Sequence, residues 1–161
     1  IRDREDSSAN IKHFVEPVTY AFQNPSEQFK KIRIISRTET DTNNWSKAFS
    51  IKEMQLWIGN QNYCNDTNAD ISGVFVNGTS GILTNTYDND FTTHYYSTSN
   101  NNTELGDYIE IDLKFEQPFN SLQSLVIYCH FESGGQIFRL SGKEIQFLDS
   151  INNVLYAHEI V

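Results

Sequence analysis

The sequence predicts an all-β chain, an antiparallel sandwich or barrel, and three observations carry that prediction. Six short segments alternate apolar and polar residues with a period of two, the mark of strands with one buried face. Clusters of Asn, Gly, Ser and Thr separate them, as turn and loop chemistry requires. No stretch sustains a helical period, and the 13% aromatic content favours a folded, β-rich chain over a disordered one.

Taken in order, residues 1–27 read as an extended lead-in or linker: polar, carrying Pro17 and Pro25, with little periodicity. Residues 28–161 read as one domain. Its 161-residue parent chain is long enough to bury a core and shows no internal repeat. "FKKIRIIS" sets Ile32 and Ile34 against Lys31 and Arg33. "IKEMQLWI" sets Met54, Leu56 and Ile58 against Glu53, Gln55 and Trp57. "DYIEIDLKF" is the clearest, with Ile109, Ile111, Leu113 and Phe115 opposed to Glu110, Asp112 and Lys114. "LQSLVIYC", "KEIQFLD" and "NVLYAHEIV" complete the series. Trp45 and Trp57 read as core or loop anchors.

Charge narrows the partners. The formal net charge of −9 is the wrong sign for a phosphate backbone, which excludes nucleic acid as a natural partner. It disfavours an anionic membrane surface for the same reason. The longest apolar runs are a few residues, as in "SLVIYC", so no helical membrane insertion is expected. The start, "IRDREDSSAN", has no initiator Met and no signal peptide, and reads as a fragment or processed product. Four sequons, at Asn44, Asn65, Asn77 and Asn101, point to an extracellular or virion-surface glycoprotein. The two cysteines, Cys64 and Cys129, allow either a disulfide or two thiols.

The order of segments resembles a known superfamily. "KKIRI", "WSKAFSIKEMQLWI", "YDNDFTTHYYS", "GDYIEIDLKF", "LQSLVIYCHF", "FRLSGKEIQFLD" and "AHEIV" follow one another as in the discoidin, or coagulation factor 5/8 type C, superfamily. The resemblance covers Phe29 to Val161 and is nearest to family 32-type carbohydrate-binding modules and to discoidin-like domains of large DNA viruses. It implies an antiparallel jelly-roll β-sandwich, galactose-binding-domain-like, and a cell-adhesion or lectin-like role. Departures exist: Cys129-His130 stands where the pattern has Asn-Arg, and Asp88-Asn89-Asp90 where it has Asp-Gly-Asn.

The stretch "LTNTYDNDFTTHYYS" concentrates cation chemistry. Asp88 and Asp90 lie two apart, with Asn85 before and Thr93 after. Calcium takes about six to eight oxygens from carboxylates, amides, hydroxyls and carbonyls. An EF-hand is excluded: no Gly stands at the sixth place after Asp88 and no Glu at the twelfth. The resemblance implies a structural calcium here, held by Asn85, Asp88, Asp90 and Thr93, with Glu159 and the His158 carbonyl completing the shell. In "VLYAHEIV", Leu155, Ala157, Glu159 and Val161 share a face, and a carboxylate buried on an apolar face needs a partner. Alternation alone leaves open which face is inside.

The resemblance also implies a ligand cleft from Tyr95, Tyr96 and Ser97, with His130 and Phe131. Arg139 matches an arginine that braces the fold. Catalysis lacks a constellation. Cys129 and His130 are neighbours in a strand and point to opposite faces, and no Gly-x-Ser-x-Gly, phosphate loop, His-Glu-x-x-His or CxxC occurs. Two functions remain. One is a non-catalytic carbohydrate-binding module that recognises a glycan or glycoprotein on a cell surface. The other is a structural domain of a virion capsid or surface fibre that binds other subunits of a larger assembly.

Overall fold

Two antiparallel sheets carry the fold in the computed structural model, which describes residues 2–6, 11–17, 26–37, 49–75, 81–96, 105–129, 140 and 142–160. Among them, eleven strands run in order. These are β1 Arg2–Asp6, β2 Ile11–Pro17, β3 Gln28–Ser36, β4 Ser50–Ile58, β5 Gln61–Asn62, β6 Ala69–Val74, β7 Tyr95–Tyr96, β8 Tyr108–Pro118, β9 Leu122–Cys129, β10 Lys143–Leu148 and β11 Val154–Glu159. One sheet has the order β1-β2-β9-β4-β5, with β7 also paired to β4; the other has the order β11-β10-β3-β8-β6. The chain is therefore all-β and sandwich-like, as the alternation predicts.

The core is the sum of the apolar faces. Register places Phe147, Ile32 and Ile111 in one row across β10, β3 and β8, and Ile145, Ile34 and Ile109 in the next. On the other sheet Met54 lies opposite Ile127 and Leu56 opposite Leu125. All these side chains join one buried cluster. Burying each aliphatic or aromatic side chain stabilises the fold by about 1.5–3 kcal/mol. The opposite face of β3–β8 is an ion-pair ladder: Arg33 Nη2 sits 2.6 Å from Glu110 Oε2, and Lys31 Nζ sits 3.6 Å from Glu110 Oε1. Arg33 also lies over the Tyr108 ring, 4.3 Å from its centroid.

Three features depart from the sequence reading. Within the supposed lead-in, residues 2–6 and 11–17 are strands, and β2 pairs with β9 from Lys12–Cys129 to Pro17–Ser124. Residues 2–6, "RDRED", are all charged, so β1 carries none of the apolar alternation by which a strand is read from sequence. Phe115, expected on the buried face of β8, is 78% exposed. The register explains it: Phe29 pairs with Gln117 and Lys31 with Asp112, so β8 spends five steps (117 − 112) where β3 spends two (31 − 29). The extra residues bulge out and carry Phe115 away from the core. Finally, β6, "ADISGV", pairs with β8 and alternates in burial, although the sequence reading singles out no strand there.

Candidate functional site

The acidic stretch forms a loop pinned at both ends. A short 3-10 turn, Leu83–Thr86, closes on itself through the Thr86 hydroxyl, which donates to the Leu83 carbonyl at 2.7 Å. Thr86 and Tyr87 are buried at the start of the loop and Tyr95 at its end, so the intervening tip is held over the domain. Tyr95 and Tyr96 of β7 pair with Ile51 and Ser50 of β4. Asn89 takes a left-handed backbone conformation, φ 59°, which Asn tolerates better than most residues. That tight turn lets residues 88–93 fold back on themselves.

Asp88, Asp90 and Thr93 come together as expected. Asp88 Oδ1 accepts from the Asp90 N–H at 2.9 Å, and Asp88 Oδ2 accepts from the Thr93 hydroxyl at 2.8 Å. The Asp90 carboxylate accepts from the Thr92 N–H and hydroxyl, at 2.8 and 2.6 Å, and these two bonds hold its pKa below the ordinary value. The Asp90 carbonyl lies 2.9 Å from the Thr93 hydroxyl. With one hydrogen, that hydroxyl serves either Asp88 or Asp90, which leaves the other oxygen with a free lone pair. The Asn85 side chain is used differently: its Nδ2 donates to the His94 carbonyl at 3.2 Å and ties the two limbs of the loop.

The carboxylate that meets this loop is Glu53. Register shifts between Ile51 and Glu53: Ile51 pairs with Cys129, yet Glu53 pairs with Tyr128 and Met54 with Ile127. This bulge keeps both Ile51 and Met54 in the core. Directly opposed residues on paired strands point the same way. Glu53 therefore shares the non-core side with Tyr128, and the loop covers both. Phe91 packs edge-on against Tyr128, ring centroids 4.9 Å apart at 86°. The Asn89 N–H donates to Glu53 Oε2 at 3.2 Å. Glu53 is 0% exposed, and its Oε1 has no hydrogen-bond partner. Burial pushes its pKa up to about 8; the Asn89 N–H opposes that, and the charges of Asp88 and Asp90 add to it. Burial, then the charge of Glu53, raises the Tyr128 pKa as well.

Glu159 is not in this group. Ile145, a core residue, pairs with His158, and Glu144 pairs with Glu159. His158 thus shares the inner side of β11, while Glu159 is exposed beside Glu144, whose carboxylate is 3.0 Å from Arg37 Nη2. Ala157 and Glu159 are on the outer face; Tyr156 and Ile160 pack against the core, and so does Leu155, which a register shift between Phe147 and Leu148 sets out of step with the Ala157–Glu159 row. Among the described residues no hydrogen bond or ion pair joins Glu159 to the loop.

The expected ligand cleft changes likewise. Tyr95 is 0% exposed and packs 6.1 Å from the Phe75 ring, which makes it a core residue with no face for a ligand. The Tyr96 side chain and residues Ser97, His130, Phe131 and Arg139 lie outside the described residues, as do Trp45 and the sequons at Asn44, Asn77 and Asn101. Asn65 is described: its Oδ1 accepts from the Thr67 and Asn68 N–H groups at 3.1 Å, and its Nδ2 donates to the Asn62 carbonyl at 2.7 Å. Its amide is thus built into its own turn. Cys64 is a free, buried thiol whose pKa burial raises, so it is not disulfide-bonded.

The donors around residues 88–93 are all oxygens, the set a hard divalent cation takes. Among the described residues, no three His, Cys, Asp or Glu side chains are arranged to hold a metal. A cation here would have to draw on the Thr93 hydroxyl and on carbonyls beside the carboxylates; the Glu53 Oε1 is the one buried carboxylate oxygen near the loop without a hydrogen-bond partner among the described residues. Sequence reasoning missed Glu53, Phe91 and Tyr128. Glu53 carried the signal of an outward polar residue, and its cover arrives from a loop more than thirty residues away. Compared with protein-family models, curated proteins and solved structures, the chain matches none.

Proposed function

We propose that the chain is a non-catalytic carbohydrate-binding module of jelly-roll, galactose-binding-like fold, acting in adhesion as part of a larger extracellular or virion-surface protein. A structural calcium ion orders residues 85–93, with Asp88, Asp90 and Thr93 among its ligands. The observation that carries this reading is the half-buried Phe91–Tyr128 pair beside the acidic loop. Aromatic faces cover the C–H surface of a sugar ring, and adjacent fixed oxygens receive its hydroxyls. In this reading the ion supplies only a fixed positive charge that gathers the loop oxygens. The side chains do the rest: Asn85 ties the loop limbs, and Tyr87 and Tyr95 anchor them in the core.

A glycan array probed with and without a calcium chelator tests the proposal. Binding that chelation weakens, and that Phe91→Ala or Tyr128→Ala reduces by roughly tenfold or more, is the expected result. No binding in either condition overturns it.

A second reading has its own support: a domain of a larger assembly that binds protein neighbours. The β1–β2 hairpin extends the sheet at β9 by strand addition, and Ile151 and Val154 stand 76% and 49% exposed beside and on the edge strand β11. Sedimentation showing self-association in a chain that binds no glycan would favour this reading.

A further inference from the structure

A buried carboxylate has few stable arrangements. It is paired with a cation, hydrogen-bonded on both oxygens, coordinated to a metal, or protonated. Glu53 has one oxygen on the Asn89 N–H and the other on nothing, and no side-chain cation of the described residues pairs with it. Two further carboxylates, Asp88 and Asp90, stand on the loop that covers it, and their charges reach it. The β4 bulge that keeps Ile51 and Met54 in the core is what turns Glu53 toward that loop.

We infer that the buried Glu53 carboxylate, and not Glu159, is the strand-borne ligand of a divalent-cation site closed from outside by Asp88. The inference rests on the calcium reading above and changes its architecture. Two carboxylates neutralise one divalent ion, so the remaining donors can be neutral. The Thr93 hydroxyl and the Asp90 carbonyl, 2.9 Å apart, are of that kind. Glu53, Asp88 and Asp90 do not converge as a three-acid group among the described residues, so the remaining coordination falls to carbonyls and hydroxyls, which calcium accepts. The site then does mechanical work. It ties the loop tip to β4 directly beneath Phe91 and Tyr128, so cation occupancy sets the position of the aromatic pair.

The test is isothermal titration of the whole chain, stripped with EDTA, using calcium chloride and separately magnesium chloride. Wild type is compared with Glu53→Gln, Asp88→Asn and Glu159→Gln. The expected result is calcium binding in wild type, weakened by roughly tenfold or more in both Glu53→Gln and Asp88→Asn and unchanged in Glu159→Gln. Near-ultraviolet circular dichroism of the metal-free variants separates lost binding from lost folding. Glu53→Gln is neutral without having to take up a proton on folding, so its metal-free melting temperature should equal or exceed that of wild type. Wild-type calcium affinity in Glu53→Gln overturns the inference and makes Glu53 a protonated core residue. If Glu159→Gln alone loses binding, the inference falls and the calcium reading stands. If wild type binds neither cation, both fall, and the glycan array still decides the carbohydrate reading by itself.

Discussion

With calcium chelated, Glu53 ties stability to pH. Its folded pKa is about 8 against an ordinary value of 4.5. The folded state holds a proton that the unfolded state has already released, so the Glu53 contribution to stability is full below about pH 4.5 and is lost as pH rises through about 8. Urea denaturation in EDTA should therefore show wild type losing a few kcal/mol across that window, and Glu53→Gln should flatten the slope. Added calcium should restore the loss at pH 8. Tyr95 illustrates the opposite kind of residue. Its sequence neighbourhood reads as a ligand-facing aromatic run, yet the backbone pairing with Ile51 turns its ring into the core. One residue's worth of register decides between those two fates, because side chains alternate faces along a strand.

At the scale of the element, β8 shows how far alternation can be trusted. Ile109, Ile111 and Leu113 follow the period into the core, and Phe115 is the first residue to leave it. The break coincides with the register shift against β3, which no count of apolar residues along β8 foretells. Ile109→Ala should cost about 2–5 kcal/mol in chemical denaturation, from lost burial and the cavity left behind. Phe115→Ala should fall within about 0.5 kcal/mol of wild type, since the side chain is already in solvent. Equal effects would mean that the bulge does not form. The β4 bulge works in the same way and has the larger consequence, for it decides that Glu53 lies under the loop.

For the whole molecule, residues 2–6 and 11–17 are strands of the six-stranded sheet. Pairing of β2 with β9 covers an edge that would otherwise expose the N–H and C=O groups of Leu125 to Cys129. Removal of residues 1–17 should lower the melting temperature by several degrees and raise self-association at β9, read by differential scanning calorimetry and sedimentation velocity. A truncated chain that melts like the parent and stays monomeric would return these residues to the role of a tether. The candidate site depends on the same large-scale arrangement. It joins β4 and β9 of one sheet to the loop of residues 83–94, and it leaves β11 out.

The all-β class, the main strands and most of the core were legible in the sequence, because period-two alternation is local and one buried face per strand follows from it. So was the meeting of Asp88, Asp90 and Thr93, which lie within six residues and close by their own hydrogen bonds. Only the tertiary structure decided which carboxylate faces them. Which side of β4 carries Glu53, and which side of β11 carries Glu159, is set by cross-strand register and bulges. Those depend on partners far along the chain, and no local pattern of residues encodes them.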